Sequence, residues 1–198
     1  SMGVVAADLN GDGHEDLFMS HLRMEMNTLY INDGTGMFSD RSNDSGLGMA
    51  SWKFTGFGTA VLDYDNDGWV DVYIANGAVK HIEEQARAGE PHPLLESNLL
   101  FRGLGEGKFE EVPEANRVDV VHREVSRGVA AGDLDNDGDL DLVVSNNAGP
   151  TRLLLNQVGS DQPWLGLRLM LRDRPRDALG AKVTLRRKGA PTLYRRVR

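Results

Sequence analysis

The sequence predicts an all-β protein: three four-stranded antiparallel blades of a partial β-propeller, with cation-binding loops at hairpin tips. Three observations predict it. One acid-rich ten-residue pattern occurs three times without gaps. Short apolar runs that read as buried strands flank every copy. A strand, Gly-rich turn, strand pattern follows the first two copies, so each full unit holds four short strands, as a propeller blade does.

The chain has 198 residues, 40% of them hydrophobic, which is enough for one fair-sized domain with a real core. Its 23 glycines suit short strands joined by tight turns. No apolar stretch approaches the roughly 20 residues of a membrane helix. With no cysteine, disulfides and thiolate zinc sites are excluded. The opening "SMG" shows no charged region before an apolar run, so no signal peptide is visible, and Ser1-Met2 reads as a tag remnant.

In chain order the three copies are "DLNGDGHEDL" (8–17), "DYDNDGWVDV" (63–72) and "DLDNDGDLDL" (133–142). Oxygen side chains stand at positions 1, 3, 5 and 9, and glycine at 6. They are Asp8, Asn10, Asp12 and Asp16, then Asp63, Asp65, Asp67 and Asp71, then Asp133, Asp135, Asp137 and Asp141. Eleven of these twelve are carboxylates, and no lysine or arginine falls inside any copy. Such crowding of like charge is unfavourable unless a cation sits among the oxygens. Ca²⁺ takes six to eight oxygen ligands, which alternate residues of a tight loop can supply. Gly13, Gly68 and Gly138 permit the sharp turn. The backbone carbonyls of His14, Trp69 and Asp139 at position 7 complete each set, for three Ca²⁺ sites in all. An EF-hand needs Glu at position 12, where Met19, Ile74 and Val144 stand, so that motif is rejected.

The flanks "GVVAAD", "GTAVLD" and "GVAAGD" lead into the loops, and "DLFMS", "DVYIAN" and "DLVVSN" leave them. Next come "NTLYINDGTGMF" (27–38), "NLLFRGLGEGKF" (98–109) and "TRLLLNQVGS" (151–160). The second unit also carries an insertion, "GAVKHIEEQARAGEPHPLLES" (77–97), ahead of its "NLLFRGLGEGKF" pattern, where "VKHIEEQARAG" predicts a two- to three-turn helix stopped by Gly89 and Pro91.

These residues resemble the FG-GAP or VCBS repeats of integrin α-subunit propellers and bacterial surface proteins, "FTGFGTAVLDYDNDGWVDVYIANG" most closely. The resemblance covers residues 3 to 158 and implies Ca²⁺ between the first two strands of each blade. "QPWLGLRLMLRDRPRDALGAKVTLRRKG" (162–189) resembles the start of an ASPIC/UnbV module, which follows such repeats in the cartilage acidic protein-like family. That family resemblance implies an extracellular, adhesion-like role and no catalytic residue. The expected domains are residues 1–160 as repeats (blades about 3–50, 55–115 and 126–158) and 161–198 as a truncated ASPIC/UnbV-like β segment. Three blades are fewer than the four to eight of closed propellers, so the chain reads as a fragment.

The expected function is therefore a calcium-binding, non-catalytic module of an extracellular, periplasmic or cell-surface protein, presenting a surface to a protein or glycan. The alternative is a propeller-type enzyme acting on polysaccharide, with calcium as a structural ion and the 77–97 insertion lining a cleft. His14, His21, His81, His92 and His122 form no metal spacing such as H-E-x-x-H. "NDGTG" and "GLGEG" open no helix and read as hairpin turns rather than phosphate loops. From Trp164 to Arg198 the tail holds 11 of the 22 Lys and Arg residues and two acids; "GAKVTLRRKG" reads as a hairpin with an exposed basic face, a polyanion contact is the lesser alternative, and nucleic acid is not expected. Asn43-Asp44-Ser45 fits a glycosylation sequon. Two fragments of three blades each predict a homodimer; strand addition by "WLGLRLML" would instead cap one flank.

Overall fold

The computed structural model describes residues 2–113, 122–159 and 163–197. The expected end of the second unit at 115, residues 161 and 162 of the tail segment, and Arg198 lie outside them. Three antiparallel sheets follow one another along the chain. The first holds β1 (Val4–Ala7), β2 (Asp16–Met19), β3 (Thr28–Asn32) and β4 (Phe38–Asp40) in that order. The short helix α1 (Leu47–Ser51) leads to the second sheet. Its strands are β5 (Gly56–Leu62), β6 (Asp71–Asn76), β8 (Leu99–Gly105) and β9 (Lys108–Glu111). The insertion between β6 and β8 carries α2 (Glu83–Arg87) and β7 (Glu96–Ser97), which pairs with β10 (Arg123–Glu124). The third sheet orders β11 (Ser126–Gly132), β12 (Asp141–Asn146) and β13 (Arg152–Leu154). A tail hairpin joins β14 (Lys182–Leu185) to β15 (Leu193–Arg196).

Alternation along the strands explains why the sheets stack. In β6 and β8, Val72, Ile74, Leu99 and Phe101 face the first sheet and meet Phe18 and Leu29 there, together with Leu47 of α1. Tyr73, Ala75 and Leu100 point the other way, toward Leu142 and Val144 of the third sheet. Both faces of the middle sheet are covered, so every residue of β6 is buried. Full burial of one such side chain contributes about 1.5–3 kcal/mol. The first strands run closest together, with β5 against both β1 and β11. Glycine permits this approach: a Cβ at Gly58 would stand 2.6 Å from the backbone nitrogen of Val129.

Three expectations change. The insertion helix is only the five residues of α2, because Ile82 at its N-cap supplies no side-chain bond and Gly89 turns left-handed (φ 76°) just beyond it. The third unit shows three strands among the described residues. "WLGLRLML" adds no strand to it; it forms a single bridge, Met170 to Asp177, because the nearby backbone groups bond within a local turn (Leu171 N–H to Arg176 C=O, 3.0 Å). The flank-capping alternative therefore fails.

Candidate metal centres at the hairpin tips

Each acidic loop joins the first two strands of its sheet: β1 to β2, β5 to β6 and β11 to β12. The glycines at position 6 have φ of 88°, 102° and 96° at Gly13, Gly68 and Gly138. Position 4 is left-handed too, at Gly11, Asn66 and Asn136, residue types that tolerate it.

Local hydrogen bonds fold the three loops alike. The position 1 carboxylate accepts from the glycine N–H at position 6, at 2.9 Å for Asp8, 3.1 Å for Asp63 and 3.3 Å for Asp133. Position 3 accepts from the N–H at position 5, through Asn10, Asp65 and Asp135. Position 5 accepts from the N–H at position 7, from His14 to Asp12, Trp69 to Asp67 and Asp139 to Asp137. Short oxygen side chains reach back to nearby amides in this way and leave further lone pairs free.

Position 9 behaves differently. Asp16, Asp71 and Asp141 are buried; the first two tie their loops to the third strand of the sheet, and Asp141 ties its loop to Asn156, two residues past the end of β13. One oxygen accepts from the N–H at position 2, namely Leu9, Tyr64 or Leu134, at 2.7 to 2.8 Å. The other accepts from Asn32, Gly103 or Asn156, at 2.8 to 2.9 Å. This second role was invisible in the repeat pattern, because the partner amide lies 15 to 32 residues away.

Burial of so many carboxylates raises their affinity for protons. Asp71 is pushed up to about 8, and Asp16 and Asp63 to about 6, by desolvation first, with neighbouring aspartates adding to it against the backbone bonds. A cation would supply the missing compensation. Asp63, Asp65 and Asp71 bring oxygens within 4.8 Å of one another, as do Asp133, Asp135 and Asp137. Among the described residues the first loop, with neutral Asn10 at position 3, holds no such charged trio. The donors fit a hard cation: all are oxygens, and Asp139 keeps both carboxylate oxygens buried without a hydrogen-bond partner among the described residues.

Residues outside the repeats complete the site. Arg102 on β8 donates Nε to Asp65 and Nη2 to Asp67, both at 2.8 Å. The tail hairpin lies over the loops, placing Tyr194 on Gly13 and the Arg195 guanidinium 3.3 Å from Asp63. Arg196 pairs with Glu15 at 3.1 Å, and Trp164 packs on Gly138. Between tail and loops runs a cleft of about 250 Å³, bordered by Asp8, Asp63, Leu140 and Arg195. The basic tail was legible as charge in the sequence, but not its acidic counterpart, since the two are joined only by folding.

A family model described as an FG-GAP-like repeat matches residues 8–74 and 91–144. Cartilage acidic protein 1 of Xenopus tropicalis is 26% identical to this chain over 216 residues, covering 78% of the chain and 32% of that protein. The Homo sapiens cartilage acidic protein 1 gives the same identity and coverage. The chain thus spans about a third of the length of these relatives. Among solved structures, an Agrocybe aegerita lectin described as recognising non-reducing terminal N-acetylglucosamine is 16% identical, with a TM-score of 0.25 over 78% of this chain and 53% of that one. A score that low defines neither a shared fold nor a shared ligand.

Proposed function

The chain belongs to the FG-GAP-like repeat family, and from that premise we propose that it is a calcium-binding, non-catalytic part of a β-propeller in an extracellular or cell-surface protein. The observation that carries this reading is the threefold recurrence of one loop geometry. Each copy sits at a β-hairpin tip, its oxygen side chains folded back onto the amides of the turn, and a buried aspartate ties it to a backbone amide 15 to 32 residues further along the chain. The proposed ligands are Asp8, Asn10, Asp12 and Asp16; Asp63, Asp65, Asp67 and Asp71; and Asp133, Asp135, Asp137 and Asp141, with the carbonyls of His14, Trp69 and Asp139. A bound Ca²⁺ would neutralise these oxygens and crosslink each hairpin tip.

Stacked sheets whose first strands lie together support the propeller, with residues 1–160 as repeats and 161–198 as an ASPIC/UnbV-like segment. Extracellular calcium modules bind at about 10⁻⁴ to 10⁻³ M, which suits calcium levels outside the cell rather than those of the cytosol. The presenting surface would include the cleft of about 400 Å³ beneath the insertion, lined by Leu22, Met24, Val79, His81 and Ile82. Its occupant would be a protein or a glycan.

Titration calorimetry on this chain tests the reading. Calcium should bind and raise the melting temperature by mass action, with Mg²⁺ the weaker ligand because it demands a smaller octahedral site. No heat and no thermal shift at millimolar Ca²⁺ would end it. A screen of glycans and matrix proteins, with and without chelator, then addresses the partner.

A further inference from the structure

The three loops share a pattern but not an electrostatic environment. In the third loop, position 7 is Asp139, whose side chain is 2% exposed. Both its carboxylate oxygens are buried and lack a donor among the described residues. Its neighbours are the carboxylates of Asp137, Asp141 and Asp135, which offer no proton when ionised. No described arginine or lysine pairs with them. A fifth carboxylate in one loop, buried and with no compensating partner among the described residues, points to a positive ligand.

The second loop already holds its positive charge. Arg102 grips Asp65 and Asp67 in a two-pronged, charge-assisted contact, and Arg195 approaches Asp63. The register explains why, among the described residues, only this loop is gripped from the third strand of its own sheet. Phe101 pairs with Val72 at loop position 10, as Tyr30 pairs with Leu17 and Leu154 with Leu142. The next residue along the third strand is therefore Arg102 in the second unit, but Ile31 and Leu155 in the others.

We propose that the loops are graded rather than equivalent: the third takes a divalent cation first, with the Asp139 side chain as an added oxygen ligand, and the second takes it last, because Arg102 must be displaced. This rests on the calcium reading above. A cation entering the third loop meets the clustered oxygens of Asp133, Asp135 and Asp137, with Asp139 as their neighbour and no described arginine or lysine paired with them, whereas one entering the second must break two charge-assisted bonds. The first loop, with Asn10 in place of an aspartate, falls between them.

Terbium, a luminescent stand-in for calcium, reads the order through tryptophan sensitisation. Trp164 lies on Gly138 of the third loop, and Trp69 belongs to the second and packs against Gly11 of the first. Emission from the first equivalent should disappear in Trp164→Phe and survive in Trp69→Phe. Asp139→Asn should weaken that equivalent at least about tenfold. In chelator the same variant should melt higher than the unsubstituted chain, since a buried unpaired charge is gone, whereas a purely structural role would lower it. Arg102→Gln should tighten the last equivalent at least about tenfold. Three indistinguishable sites, or first-equivalent emission that persists in Trp164→Phe, would overturn the grading and leave calcium binding intact. A chain that binds neither terbium nor calcium would overturn both.

Discussion

Aspartates at positions 5 and 9 of a loop carry the same charge and have different duties. Asp71 caps two backbone amides, the half-buried one of Tyr64 and the buried one of Gly103. Asp71→Ala leaves both unpaired, at about 1–3 kcal/mol each. Urea melts should show that loss in chelator as well as in calcium. Asp137 holds one amide at the solvent edge, so Asp137→Ala should lower stability mainly when calcium is present. Equal losses in the two conditions would remove Asp137 from the ligand set. The buried carboxylates also set a pH dependence. Their folded pKa values, about 6 for Asp16 and Asp63 and about 8 for Asp71, lie above the ordinary 3.8. The folded chain therefore retains protons that the unfolded chain releases. That stabilisation is complete below about pH 4 and is lost as pH rises through about 6 and then about 8. The melting temperature of the metal-free chain should fall from about pH 5 to about pH 8.5. The gain on adding calcium should grow over the same interval, because protons cease to compete for the oxygens. A metal-free melting temperature that rises with pH would refute the sign.

At the scale of elements, the strands were legible because their apolar residues alternate or run together, and the loops because their spacing repeats. The short insertion helix was overread: charged residues of good helix propensity suggested more turns than an uncapped start at Ile82 sustains. Helix α1 carried no signal in a five-residue segment; it forms because Leu47 inserts into the core between the first two sheets. Contact between first strands depends on glycine, most clearly at Gly58. Gly58→Val should force β5 away from β11 and cost about 1–3 kcal/mol as overpacking. Urea midpoints measure it, and an unchanged midpoint would show that the two strands need not approach.

For the molecule as a whole, the stack leaves two apolar faces uncovered among the described residues. On the third sheet Ala130, Val143 and Leu153 align across three strands, and Leu153 is 56% exposed. On the first, Val4 is 65% exposed, and Leu17 and Met19 are only half-buried. The tail does not cover the third face, since its hairpin lies over the acidic loops. Faces of this kind associate. Light scattering should therefore give a mass that climbs above 21.8 kDa as concentration enters the micromolar range. A constant 21.8 kDa would show that the faces stay free.

By itself the sequence determined the all-β class, the three hairpins, the oxygen donors at their tips and the basic character of the tail. These features are written in local spacing, which reports periodicity, turn chemistry and charge within about ten residues. The tertiary structure alone decided that Asp16, Asp71 and Asp141 brace backbone far along the chain, that Arg102 grips one loop, that Asp139 is buried without a partner among the described residues, and that the tail settles on the acidic tips. Each of those depends on which residues folding makes neighbours. Strand register and sheet stacking set that, and both are fixed by packing over tens of residues rather than by any short run of the chain.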